Sequence, residues 1–272
     1  MDEPEVRKPL AWLPFTPRGV AAFSTASTGR ILLVQALVAV LASATVVWSL
    51  HLAWFPAVES AIGNLPDAGD IRVGLLDWRG PETATLAETH FLAFTVNLTG
   101  RDQPRTTSHL QVELRARTFK VDSLFGTNER IYPGRSITPL NRPELQPWWG
   151  AWRLPVTALI AIGVFLLLFL SWFLLATVYC LPARLAGFCA NRDLTLAGSW
   201  KLSGASLMPG SLFLCVGIWA YAAGTFDLMK LTLVFAMHFV LPWLFIAAGI
   251  WALGRDEKAR GTGSNPFQKA AS

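Results

Sequence analysis

Apolar positions along the chain follow two patterns: long unbroken runs, and one middle region where apolar and polar residues alternate. The longest run, 154–181, reads LPVTALIAIGVFLLLFLSWFLLATVYCL and holds no charged residue. It exceeds the roughly 20 apolar residues that cross a bilayer core. Hydrocarbon offers the backbone no water, so such a run must close its hydrogen bonds internally, as a helix. Runs at 31–55, 209–224 and 231–253 read the same way. The pattern predicts an α-helical integral membrane protein of four transmembrane helices, with a small extracytoplasmic β-rich domain at 56–153 between the first and second.

Within 56–153, Ile71–Trp78 is expected to be a strand, and Leu92, Phe94, Val96 and Leu98 alternate with Ala93, Thr95 and Asn97. The clearest alternation puts Leu110, Val112, Leu114 and Ala116 on one face and Gln111, Glu113, Arg115 and Arg117 on the other, the signature of a half-buried strand. The phase slips at Thr118–Phe119 before Val121, which marks a bulge or a turn. Thr99-Gly100-Arg101-Asp102 and Tyr132-Pro133-Gly134 are turn signals. These features predict a small, incompletely closed antiparallel domain.

Composition agrees with a membrane protein: 53% of residues are apolar and 15% charged, with a mean hydropathy of +0.41. The net charge of +5 argues against nucleic-acid binding once it is divided along the chain, because 56–153 holds 11 basic and 11 acidic residues. The surplus lies beside the apolar runs. Arg7, Lys8, Arg18 and Arg30 stand against Asp2, Glu3 and Glu5, and Arg255, Lys258, Arg260 and Lys269 against Asp256 and Glu257. The positive-inside rule then places both tails, 1–30 and 254–272, in the cytoplasm, together with an interfacial segment 182–208 carrying Arg184, Arg192 and Lys201 against Asp193. Localisation in a bacterial inner or plasma membrane, in contact with lipids, is expected.

Aromatic residues mark the outer boundary twice, as Trp48 and Trp54 and as Trp148, Trp149 and Trp152. Pro155 suits the first turn of the central helix and Pro182 its exit. Asp193 is a candidate cap for a helix carrying Leu196, Trp200 and Leu207 on one face. An apolar patch at Leu10, Trp12, Leu13 and Phe15 is placed to touch the membrane surface. Ala42-Ser43-Ala44 after Ile31–Leu41 resembles a signal-peptide cleavage site, but the apolar run continues through Thr45–Phe55 and favours an uncleaved anchor.

Chemistry-bearing patterns are sparse. No Walker loop, G-x-S-x-G, H-E-x-x-H or paired C-x-x-C occurs, and Glu82, Glu88, Glu113 and Glu129 have no spacing that selects an acid/base pair. Cys180, Cys189 and Cys215 read as packing residues, so no metal or other cofactor is implied. His90 and His109 read as surface or core histidines, His51 as interfacial, and Asn97-Leu98-Thr99 as a sequon of a kind common by chance. The candidate functional residues are Gln35, His238 and Pro242. Pro242 cannot donate to the carbonyl of His238, so an ionisable side chain and a broken hydrogen bond share one turn at membrane depth. Gly210, Gly217 and Gly224, seven apart, are candidates for close helix packing.

One long span, an exposed domain with a turn such as Val96-Asn97-Leu98-Thr99-Gly100, and clustered later spans together resemble uncharacterised bacterial multi-pass membrane proteins labelled as maltodextrin-utilisation proteins. Residues 198–209, GSWKLSGASLMP, resemble the segment ahead of a span in the Yip family, which is associated with membrane organisation and trafficking. The resemblance implies no catalytic residues. The expected function is a non-enzymatic membrane scaffold, accessory subunit or sensor acting through the outer domain, with a protein partner or a second copy of the chain. The alternative is an oligomeric transporter or channel component that uses the polar kink at His238 and Pro242.

Overall fold

The computed structural model describes residues 13–101, 104–134 and 137–254. The expected surface contacts of Leu10 and Trp12, Asp102 of the turn signal, and the tail beyond Gly254 lie outside the described residues. Four helical stretches are long and apolar enough to cross a membrane: Thr28–Gly63, Arg142–Cys189, Leu196–Ala222 and Leu228–Ala252. A separate β region lies between the first two. The chain divides into two compact units, one of Met1–Ser43, Gly163–Cys215 and Val234–Ser272, the other of Ala44–Ile162 and Val216–Leu233.

Helix boundaries depart from the apolar runs because caps, not hydropathy, set where a helix starts and stops. A short helix α1 (Pro17–Phe23) precedes the first span, with the Thr16 hydroxyl accepting from Gly19 N at 3.0 Å and Pro17 in the first turn. Helix α2 (Thr28–Ser49) passes through a π turn at Leu50–Trp54 into α3 (Phe55–Gly63). Pro56 explains the wider turn: its ring lacks an N–H and crowds the carbonyl four residues back. After the β region, α4 (Arg142–Cys189) starts well before residue 154 and runs past Pro155 and Pro182. Asn141 sets its start, accepting from Glu144 N at 3.0 Å while Glu144 accepts from Asn141 Nδ2 at 3.3 Å. Asn191, at φ +51°, ends it, and the N–H of Arg192 reaches back to Gly187 O.

The expected interfacial segment 182–208 and third span 209–224 are replaced by the end of α4 and one continuous α5 (Leu196–Ala222). Thr195 rather than Asp193 caps α5, its hydroxyl accepting from Gly198 N at 3.0 Å. Helix α6 (Leu228–Ala252) begins at Asp227, which accepts from Lys230 N at 2.8 Å.

In the first unit the core joins Val20 and Phe23 of α1 to Ile31, Val34 and Val38 of α2, Trp172 and Ala176 of α4, Leu202 and Met208 of α5, and Ile246 and Ile250 of α6. Within the described part of the N-terminal tail, Val20 and Phe23 are fully buried, so α1 packs into this core. A Cβ on Gly249 would sit 3.2 Å from Val20, so a small residue of α6 makes room for α1.

In the second unit two sheets form. Strands β1 (Gly69–Arg72) and β2 (Leu75–Trp78) pair antiparallel, and β8 (Thr138–Pro139) joins the other side of β1. The single strand expected over Ile71–Trp78 is thus a hairpin, closed by Val73 and Gly74 at φ +51° and +75°. Two positive-φ residues make the primed turn whose twist matches paired strands. The other sheet runs β3 (Thr83–Glu88), β4 (Leu92–Asn97), β5 (Leu110–Leu114), β6 (Thr118–Ser123), β7 (Gly126–Ile131) in spatial order. It is mixed rather than antiparallel, because β4 and β5 are parallel. The phase slip before Val121 is the β5–β6 turn, where Arg115 N donates to Thr118 O at 2.9 Å.

Parallel neighbours need a crossover, and its described residues Arg101 and Thr106 bond to the polar face of the sheet. That connection reverses the expected burial of β5: Gln111 and Glu113 are each 3% exposed, while Leu110, Val112 and Leu114 are half-buried. Glu113 accepts from Asn97 Nδ2 at 3.0 Å and Arg115 Nε at 2.8 Å, and Gln111 accepts from Thr106 N at 2.9 Å. Asn97 also donates to Arg101 O at 2.8 Å. The sequon asparagine is 1% exposed with its amide engaged, so the folded chain does not present it for glycosylation.

Candidate functional site

Of the residues singled out by sequence, three meet in the first unit. Pro242 leaves the His238 carbonyl without a helical partner, and Gly210 of α5 packs against that carbonyl. A Cβ at Gly210 would lie 2.6 Å from His238 O and 3.4 Å from Pro242 Cδ. The His238 ring is half-buried between Phe235 and Phe239, with centroids 5.0 and 3.8 Å away. Its Nδ1 meets Phe235 O; a carbonyl only accepts, so Nδ1 carries the proton.

Gln35 is not part of this group. It is 2% exposed and donates from Nε2 to Gly204 O at 3.4 Å, where a Cβ at Gly204 would stand 3.1 Å from that nitrogen. Ser203, beside it on α5, is fully buried with a hydroxyl that finds no partner among the described residues. Gly217 is buried within α5. Gly224 lies beyond the end of that helix at φ +74°, with nothing within 4 Å of an added Cβ. It serves as the left-handed residue that closes α5, where Thr225 N and Phe226 N return to Ala220 O, and it does not extend a packing stripe.

A second group, in the second unit, joins residues that sequence reading left apart. Because β4 and β5 start side by side, His109 N donates to His90 O at 3.1 Å and Leu110 N to Phe91 O at 3.0 Å. The two imidazole centroids are 4.2 Å apart. Tyr221 of α5 completes the group: its hydroxyl is 3.0 Å from His109 Nδ1, and its ring meets Phe91 at 5.1 Å. Burial, then the neighbouring His90, lowers the pKa of His109 below the ordinary imidazole value, with Asp227 opposing. His109 is therefore neutral at pH 7. Only knowledge of the parallel pairing would have revealed this cluster, since His90 and His109 have no helical or hairpin spacing.

Next to it a cleft of about 280 Å³ lies between the Arg105–His109 segment and the start of α6, with Leu124 at its edge. A third group links the helices flanking the β region. Arg153 donates to Glu59 at 2.6 Å, sits 3.2 Å from His51 Nδ1 and lies over the Phe55 ring at 5.7 Å, while Phe55 meets Trp149 edge-on at 5.3 Å. Among the described residues, no three His, Cys, Asp or Glu side chains stand together as a metal-binding set. Comparison with protein-family models, curated proteins and solved structures returned no match.

Proposed function

We propose that the chain is a multi-pass membrane protein acting as a scaffold, accessory subunit or sensor, which binds a partner protein through its β region outside the cytoplasm. The long helices cross the membrane and both termini are cytoplasmic. Leu159, Leu167, Leu174 and Leu181 of α4 are exposed along its most apolar stretch and turn to lipid.

The observation that carries the binding role is an apolar patch at one end of the β region. Val73 and Ile131 are each 77% exposed and Ile137 63%, and Leu75 is also exposed. The backbone brings them together: Gly74 approaches Tyr132 O, Tyr132 N donates to Arg117 O, and Thr138 pairs with Ile71. Arg117, paired with Tyr132, and Arg130, next in the chain to Ile131, are exposed, as is Arg72, which pairs with Asp70. Isolated surface apolar residues need no explanation, but a cluster with a polar rim suits a protein interface. The rim favours a partner with an apolar centre and acidic edge.

A photoactivatable residue at Ile131 in the full-length protein, irradiated in its native membrane, tests this reading. One discrete protein adduct, absent when the probe sits at Leu124 instead, is expected. Adducts to lipid alone, or a diffuse smear from both positions, would remove the proposed interface.

A further inference from the structure

The cleft beside the histidine cluster combines groups that the partner-binding role does not use. We propose that it holds the headgroup of a zwitterionic glycerophospholipid bearing a primary ammonium, with the phosphate at Arg105 and the ammonium at Asp227. The proposal rests on the membrane reading above, which sets the α5–α6 turn at the outer surface of the bilayer.

Three features lead to this ligand. The first is charge: Arg105 and Asp227, a cation and a carboxylate, line the same cleft, and Arg105 also lies close enough to Asp122 to act on its charge. Guanidinium matches phosphate oxygens as a bidentate donor, and a carboxylate accepts from a primary ammonium. Asp227 is ionised, its pKa lowered chiefly by the backbone N–H of Lys230 that it caps. Its other oxygen is 3.6 Å from Lys230 Nζ, long enough for a ligand ammonium to compete. Arg105 reaches His109 O only at 3.5 Å, the outer limit of a hydrogen bond.

The second feature is the apolar rim. Leu124 and Met229 line the cleft and are exposed, at 44% and 63%, and Phe125, at the tip of the same β6–β7 turn, is 75% exposed. A soluble phosphate ester gains nothing from such a rim, whereas a lipid lays its glycerol and first methylenes on it. The third is position. Asp227 joins α5 to α6, and Trp219 of α5 stacks on Trp48 at 6.0 Å, the kind of aromatic pair that settles at headgroup level. A quaternary choline has no N–H to give Asp227, so discrimination between amine and choline headgroups follows from the chemistry.

The full-length protein, first shown to resist alkaline extraction from membranes, would be purified, delipidated and titrated with phosphatidylethanolamine, phosphatidylcholine, phosphatidylglycerol and soluble glycerophosphoethanolamine. Native mass spectrometry counts the bound molecules. Retention of phosphatidylethanolamine about tenfold above the other three is expected, with Arg105→Gln and Asp227→Asn each removing the preference. Asn caps helices as well as Asp, so Asp227→Asn keeps the start of α6 while removing the charge. Equal retention of all lipids, a preference for phosphatidylglycerol, equal binding of the soluble headgroup, or a preference that survives both variants would overturn the proposal. Extraction by alkali would overturn the membrane reading itself, before any lipid is added.

Discussion

Val73 places a β-branched side chain at φ +51° in a two-residue turn where Asn or Gly is the ordinary choice. A left-handed conformation costs such a residue about 1–2 kcal/mol, and an exposed position returns none of it by burial within the chain. Val73→Asn should therefore stabilise the β region by about 1 kcal/mol in chemical denaturation, yet weaken the protein adduct formed at Ile131. If the variant gained stability and left the adduct unchanged, Val73 would have no part in the interface. Gly210 is constrained in the opposite direction. Its missing Cβ leaves room for the His238 carbonyl, and a methyl placed 2.6 Å from that oxygen forces the two helices apart. Gly210→Ala should cost about 1–3 kcal/mol, the range of overpacked cores, read as a lower midpoint in detergent denaturation. Gly224→Ala is different, since open space surrounds it but φ is +74°. It should cost about 1 kcal/mol through backbone strain alone. A loss at 210 but none at 224 would mean that strain at the end of α5 is negligible.

At the scale of elements, the paired starts of β4 and β5 make stability depend on pH. His109 titrates below the ordinary imidazole value because burial and then His90 oppose its charge, with Asp227 pulling the other way and Tyr221 bonded to its Nδ1. The unfolded chain thus binds a proton more readily than the folded one. Stability is fully present above about pH 6.5, the unfolded imidazole value, and is lost as pH falls from there toward the lower folded value. The thermal midpoint should drop between pH 7.5 and 5.5, and His109→Gln should flatten that slope. An unchanged slope would assign the dependence to other groups. Why this pair escaped the sequence reading is clear from the sheet. Period-two alternation located β4 and β5 and their two faces, but alternation carries no information on whether neighbours run parallel. Nor does it say which face a crossover will cover, so Gln111 and Glu113 looked like solvent residues. The helices were more legible, since charge-free runs announce themselves, whereas their ends were set by Thr16, Asn141, Thr195 and Asn191, polar residues outside the apolar pattern. The conjunction of Pro242, His238 and Gly210 was half legible: proline rules name the orphaned carbonyl, but nothing local to it names the glycine that meets it.

For the whole molecule, the lengths of the helices and the distribution of charge bear on one topology. At about 1.5 Å per residue, the 48 residues of α4 extend about 72 Å, more than twice a hydrocarbon core of about 30 Å. In the proposed bilayer arrangement it would emerge on both sides. On one side it carries Arg153 bound to Glu59, on the other Arg184 and, just past its end, Arg192, whose guanidinium donates to the Leu253 carbonyl. Near Arg153 basic residues pair with carboxylates, Arg153 with Glu59 and Arg142 with Asp67, whereas beyond the other end Arg184, Arg192 and Lys201 stand against Asp193 alone, the surplus that the proposed topology places in the cytoplasm. An end rich in Lys and Arg resists translocation. Replacing Cys180, Cys189 and Cys215 with Ala and placing one cysteine at Asn128, on the exposed strand β7, should give labelling by a membrane-impermeant maleimide in intact cells. A cysteine at Arg184 should label only after permeabilisation. The reverse pattern would invert the molecule and put the β region in the cytoplasm. That outcome would leave the fold, the Gly210 contact and the pH dependence of His109 intact, because each rests on contacts within one unit. It would move both the partner interface at Ile131 and the lipid cleft at Arg105 to the inner leaflet, with a different set of lipids and partners to test.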